Sequence, residues 1–225
     1  MSVRTLRVAA WLAAGAASTL LFGAVAQALL AVARQPAGLT ELVRLHLPDS
    51  GVAHPVTAVL LNFRSYDTWL EVLVLLAAAV GMVVLRADDR LEVPAEPAGP
   101  VVRGLAEALL PVTVVVGIFV LSLGIHSPGG AFQGGAVLAA GLVMLRLGGY
   151  RSVSGTSPSL LWAGLAAATV AFVVVAALPL LAGGHLLALP AWRAPGTIVV
   201  VELAVTVSVA LTLAFLFVAA PPNRR

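Results

Sequence analysis

Six apolar runs dominate the sequence, at residues 8–33, 66–85, 105–124, 131–147, 160–182 and 197–219. About 17–25 such residues cross the hydrocarbon core of a bilayer as a helix. In lipid every backbone polar group needs a partner within the protein, which leaves only helices and closed barrels. Runs this long, without polar alternation, read as helices. The expected fold is therefore an all-α, polytopic transmembrane helical bundle of about six spans. Composition agrees, because 60% of the residues are hydrophobic and only 10% are charged, against about 25% charged in soluble domains. No cysteine is present, so disulfides, thiolate metal sites and iron–sulfur ligation are excluded. The net charge of +3 is too small to argue for nucleic acid. His46 and His54 lack metal-ligand spacing, and neither a metal nor a cofactor is expected.

Arg4 and Arg7 precede the first run, as in a signal peptide. Signal cores extend over about 7–15 residues, and this run is longer, so an uncleaved anchor is expected. Lysine is absent, and the arginines set orientation. With the N-terminus in the cytoplasm, Arg4, Arg7, Arg86, Arg90, Arg103, Arg146, Arg151, Arg224 and Arg225 lie inside, against Arg34, Arg44, Arg64 and Arg193 outside. That asymmetry follows the positive-inside rule and predicts that both termini are cytoplasmic. The proline-rich, charged stretch RADDRLEVPAEPAGPVVR at 86–103 reads as a linker. It divides the chain into a two-span part (1–88), a linker (89–102) and a four-span part (103–225). In the first outer loop, LTELVRLHL puts Leu39, Leu42, Val43 and Leu47 on one side, as an interfacial helix would.

The stretch LGIHSPGGAFQGGAVLAAG, residues 123–141, interrupts the apolar pattern. Pro128, Gly129 and Gly130 form a corner that ends the third span, since proline bars helix continuation and glycine accepts positive φ. Gly134 and Gly135 open the fourth span, and Gly141 follows Gly134 by two turns, giving one smooth helix face. Small residues allow close helix packing. His126 and Gln133 add polar groups, read either as satisfied turn residues or as the lining of an ion or water path.

Charges within apolar spans cost about 2.5–3.5 kcal/mol or more, and so call for a reason. Arg64, Asp67 and Glu71 sit at i, i+3 and i+7 across the start of the second span. Arg64 can reach Asp67, and Asp67 and Glu71 share a face. Asp67 also suits a helix first turn, whereas Glu71 lies a turn deeper. Glu202 lies about a turn into the last span, near Thr197, Thr206 and Ser208. It reads as part of a polar seam or as an interface acid with no transport role. Glu107 is expected in the first turn of the third span, at the membrane surface. His185 is expected to be structural.

HSPGGAFQGG resembles the histidine-led Pro-Gly-Gly-Gly-Phe-x-Gly-Gly signature of the MnhB-like subunit of Mrp-type multisubunit sodium/proton antiporters, with Ala131 in place of the third glycine. Related subunits occur in energy-converting membrane hydrogenases. The resemblance runs from Arg103 to about Ala219, and Glu202 matches an expected acid in the last span. A second resemblance, over 54–81, is to the C-terminal region of the large antiporter subunit or its membrane-hydrogenase counterpart. It rests on Val56, Thr57, Phe63, Arg64, Asp67, Thr68 and Glu71, with Asn62 in place of an acid and Leu70 in place of a glycine. Together the two imply a fusion of normally adjacent parts. They imply a non-catalytic membrane subunit of a sodium (or other monovalent cation)/proton antiporter, working beside other subunits in a bacterial or archaeal plasma membrane. Two alternatives stand beside it: a membrane-arm subunit of a redox-driven pump related to complex I, and a purely structural scaffold.

Overall fold

The computed structural model describes residues 15–16, 18–20, 22–27, 30, 38–85, 99–150, 157–181, 184, 186–187, 189 and 192–219. The chain forms two compact units, Met1–Leu45 and His46–Arg225. In the first, the described residues between 15 and 30 are helical; most of the flanks of the expected span at 8–33, and the cleavage question with them, lie outside the described residues. The first unit ends within α1 (Leu39–His46), the helix expected in the outer loop. Arg44 and Glu41 pair through two hydrogen bonds on it, of 3.1 and 2.8 Å, while Leu39, Leu42 and Leu45 stay exposed.

The second unit starts with a 3₁₀ turn, Leu47–Ser50, and then α2 (Pro55–Ala58), which widens into a π-turn at Val59–Phe63. Five longer helices follow: α3 (Ser65–Leu85), α4 (Pro100–Leu123), α5 (Ala131–Leu147), α6 (Pro158–Leu181) and α7 (Ala194–Ala219). No strand occurs among the described residues. By length and composition α3, α4, α6 and α7 can each cross a membrane, and α5, with 17 residues, sits at the short limit. This is a multi-pass membrane protein.

Helix starts follow local chemistry. Proline opens α4 and α6, where its fixed φ suits the first turn and its missing N–H costs nothing. Ser157 caps α6 by accepting from the Leu160 N–H at 3.4 Å. α4 thus begins at Pro100, within the stretch read as linker; the remainder of that stretch, 86–98, lies outside the described residues. α7 is the hub, packed against α3, α5 and α6, and α4 lies against α5. Ile198, Val201, Val205 and Val209 of α7 form one core with Phe172 of α6 and Val72 of α3.

Candidate functional site

The corner between α4 and α5 is built as its residues require. The Ser127 N–H donates to the Leu123 carbonyl at 2.7 Å, and the Gly130 N–H to the Val120 carbonyl at 3.0 Å. A methyl group on Gly129 would lie 2.6 Å from the Val120 oxygen. Gly130 has φ +122°, a region costly for any residue with a side chain. Ala131 follows as the first residue of α5; Leu187 alone among the described non-glycine residues has positive φ. The alanine at this point therefore costs no backbone strain.

The corner is recessed. Gly124 and Gly130 stand against Glu202, since a methyl on either would lie 2.6 or 3.2 Å from its Oε1. Glu202 is eight residues beyond the first residue of α7, two turns in where the sequence suggests about one, because the helix begins at Ala194 and not Thr197; that is about 12 Å along a helix rising 1.5 Å per residue. Non-helical backbone at such depth needs cover, and α2 with its flanks supplies it. The His54 N–H donates to the Ile125 carbonyl at 3.0 Å, and the Thr57 hydroxyl donates to the Gly124 carbonyl. Asn62 ties this cover together by donating to the Ser50 carbonyl at 2.8 Å.

Between cover, corner and α7 lies a cavity of about 260 Å³, lined by Thr57, Thr68, Glu71, Gln133 and Glu202 with Gly129 and Gly130. Three of the polar residues singled out in the sequence, Glu71, Gln133 and Glu202, thus line one cavity, from α3, α5 and α7. Glu202 is 5% exposed. Glu71 is exposed on α3 and also lines an adjoining apolar groove of about 710 Å³, with Asp67, Val74, Phe132 and Leu213. Glu71 therefore stands between an inner cavity and an outward-facing groove. Arg64 pairs with Asp67 at 2.6 Å and, like His126, does not line the cavity; His126 is exposed on the corner. Thr57 and Thr68 stand out in the sequence only as parts of a resemblance. Here Thr57 holds the corner, and Thr68 donates to the Leu60 carbonyl at 2.8 Å, beside the π-turn. Glu107 lies two turns into α4, because the helix begins at Pro100. It is exposed, accepting a hydrogen bond from Tyr150 and pairing with Arg103 at 3.3 Å. His185 lies outside the described residues.

Residues 101–219 match the family described as "Domain related to MnhB subunit of Na+/H+ antiporter". The chain belongs to this family. Its fold is similar to that of a chain in the Mrp complex from Dietzia sp. DQ12-45-1b, with a TM-score of 0.65 and 20% identity. The likeness covers 100% of this chain but only 27% of that one. A second similar chain belongs to the membrane-bound sulfane sulfur reductase, an archaeal respiratory membrane complex, with a TM-score of 0.69 and 20% identity. That match covers 92% of this chain and 97% of that one. No curated protein matches the sequence.

Within the family-matched region α5 is smooth on two sides. Gly134 and Gly141 face α4, where a methyl on Gly134 would lie 2.9 Å from the Gly117 oxygen and one on Gly141 2.5 Å from Thr113 Oγ1. Gly135 faces α7 instead, 2.8 Å from Val209 Cβ by the same measure. The single smooth face expected from the spacing of Gly134 and Gly141 is present, and Gly135 supplies another. The motif's glycines thus wedge α5 between two helices, which sets the corner against Glu202.

Proposed function

We propose that this chain is a non-catalytic membrane subunit of a multisubunit cation/proton antiporter, with sodium as the cation, and that it supplies helix packing and part of an ion or proton path. The observation that carries the reading is the cavity joining Glu71, Gln133 and Glu202. A carboxylate exposed on a spanning helix, as Glu71 is, is expensive against lipid and fits a position facing another subunit. The cavity behind it offers a second carboxylate and an amide within one enclosure. Membership of the antiporter-subunit family supports the same conclusion. In this reading residues 1–88 correspond to the end of a large antiporter subunit, 89–102 to a linker, and 103–225 to the small subunit. Both termini face the cytoplasm of a bacterial or archaeal cell.

The test is cation-induced collapse of a pH gradient in inverted vesicles, normalised to assembled complex. Glu71→Gln and Glu202→Gln should each reduce exchange severalfold, while Glu107→Gln, at an exposed site, should leave it unchanged. Full activity in both cavity variants would reduce the role to scaffolding. Reporter fusions after Arg225 and within 86–98 should both read cytoplasmic.

A second reading, a membrane-arm subunit of a redox-driven pump, draws on the near full-length likeness to the archaeal respiratory chain. Purification of the intact assembly in mild detergent separates the two, since redox-active partners would favour the second.

A further inference from the structure

A second large depression lies away from the acidic cavity, where α6 ends and α7 begins. It holds about 780 Å³ and is walled by Phe63 at the end of the π-turn, Leu178 and Pro179 of α6, Leu187, and the Trp192–Arg193 pair that precedes α7. Leu178 is 56% exposed and Trp192 74% exposed. Its lining is mixed: Leu178, Pro179 and Leu187 are aliphatic, while Trp192 and Arg193 bring an indole and a guanidinium immediately before the first residue of a spanning helix. Tryptophan and arginine at such a level mark the boundary between hydrocarbon and headgroups. The Arg193 guanidinium lies over the Trp192 ring, 4.2 Å from its centroid. Among the described residues no carboxylate pairs with Arg193.

The wall is also held in place at some cost. Leu187 has φ +59°, a conformation uncommon for a bulky residue and kept only where the surroundings over-determine it. Its side chain is 5% exposed and packs into the main core, which fixes the loop side of the depression.

We propose that this groove binds a glycerophospholipid, with an acyl chain along Leu178 and Phe63 and the phosphate on Arg193. Charge decides the headgroup end, because a guanidinium with no carboxylate partner among the described residues is complementary to a phosphate, which arginine can bind through two parallel hydrogen bonds. The competing occupant is a helix of another subunit, which cross-linking distinguishes. The proposal is independent of the transport reading, because the groove shares no residue with the acidic cavity.

The experiment uses the assembled complex purified in mild detergent. Leu178→Cys carrying a photoactivatable cross-linker should label phospholipid; labelling of a partner polypeptide in its place would overturn the proposal. Native mass spectrometry should find phospholipid retained by the wild type and lost in Leu178→Trp, which fills the groove. In add-back to delipidated complex, phosphatidylglycerol should outcompete diacylglycerol, which lacks the phosphate, by roughly tenfold, the scale of a hydrogen bond to a charged group. Arg193→Ala should abolish that preference while leaving cation/proton exchange measurable. Equal lipid retention in wild type and Leu178→Trp, or an unchanged preference in Arg193→Ala, would sink the idea. The labelling and Arg193→Ala measurements stand even where Leu178→Trp fails to assemble.

Discussion

α7 and α4 look alike in sequence and do opposite things. They have 26 and 24 residues respectively, both strongly apolar. Yet 61% of the apolar stretch of α7 is buried inside the chain, against 11% of that of α4. Their polar side chains show why. On α4, Thr113 and Ser122 donate to carbonyls of their own helix, at 2.8 and 2.7 Å, and ask nothing of a neighbour. On α7, Ser208 reaches across to the Leu165 carbonyl of α6 at 2.7 Å. Thr206, like the α4 pair, donates within its own helix, to the Glu202 carbonyl at 2.7 Å, but Glu202 sets its carboxyl Oε1 against Gly124 and Gly130 of the corner. Hydropathy identifies the solvent a helix tolerates, and polar groups that need outside partners identify which helix goes in the middle.

The sharpest way to break this contrast is to fill the seam on the α7 side. Gly135→Leu should cost more than the usual 1–3 kcal/mol of overpacking, about 3 kcal/mol or more, because even a methyl there is too close to Val209. Assembled yield and thermal stability in detergent should both collapse. Val115→Leu, on the exposed side of α4, should shift stability by less than about 0.5 kcal/mol. Similar losses in both variants would mean that α4 is as tightly enclosed as α7.

Next in size is Thr57→Val, which keeps the shape and strands the buried Gly124 carbonyl. A loss of about 1–3 kcal/mol is expected, read as a lower melting temperature. In the proposed antiporter, cation/proton exchange should fall with it, because the corner would lose one of the two bonds that hold it beneath its cover.

A smaller effect separates the two classes of hydroxyl. Ser208→Ala should cost about 0.5–1.5 kcal/mol, the net value of one ordinary hydrogen bond. Ser122→Ala, whose bond is local and exposed, should cost nothing measurable. At the bottom of the scale, Tyr150→Phe removes a hydroxyl from the exposed Arg103–Glu107 cluster and should cost less than about 1 kcal/mol.

These variants also mark where sequence reasoning succeeds. Most helix bounds, the Pro128–Gly130 corner and the Gly134/Gly141 face are readable because each is a local pattern with a fixed period or a backbone requirement. The second smooth face, at Gly135, is not, since one helix in isolation does not reveal how many neighbours it has. That Glu71 and Glu202 line one cavity is equally hidden, because nothing local to either residue refers to the other. Thr57 is invisible as a corner support for the same reason: its partner is a main-chain carbonyl, and every residue has one. Glu107 sits deeper in its helix than the sequence suggests, as proline-rich sequence before Val101 hides a helix start. The depth of the corner follows only once α5 and α7 are aligned side by side.

That depth has an electrical consequence. Carrying one elementary charge across a whole membrane at 100 mV is worth about 2.3 kcal/mol. Glu202 stands about 12 Å down α7 by helix rise, against a thickness of about 30 Å for a hydrocarbon core. A proton moving between the near surface and its carboxylate would therefore cross only a fraction of the voltage drop, worth somewhat under about 1 kcal/mol. On the proposed path, the membrane potential would thus weigh on each proton's passage to the recessed cavity, and not only on its passage across the whole membrane.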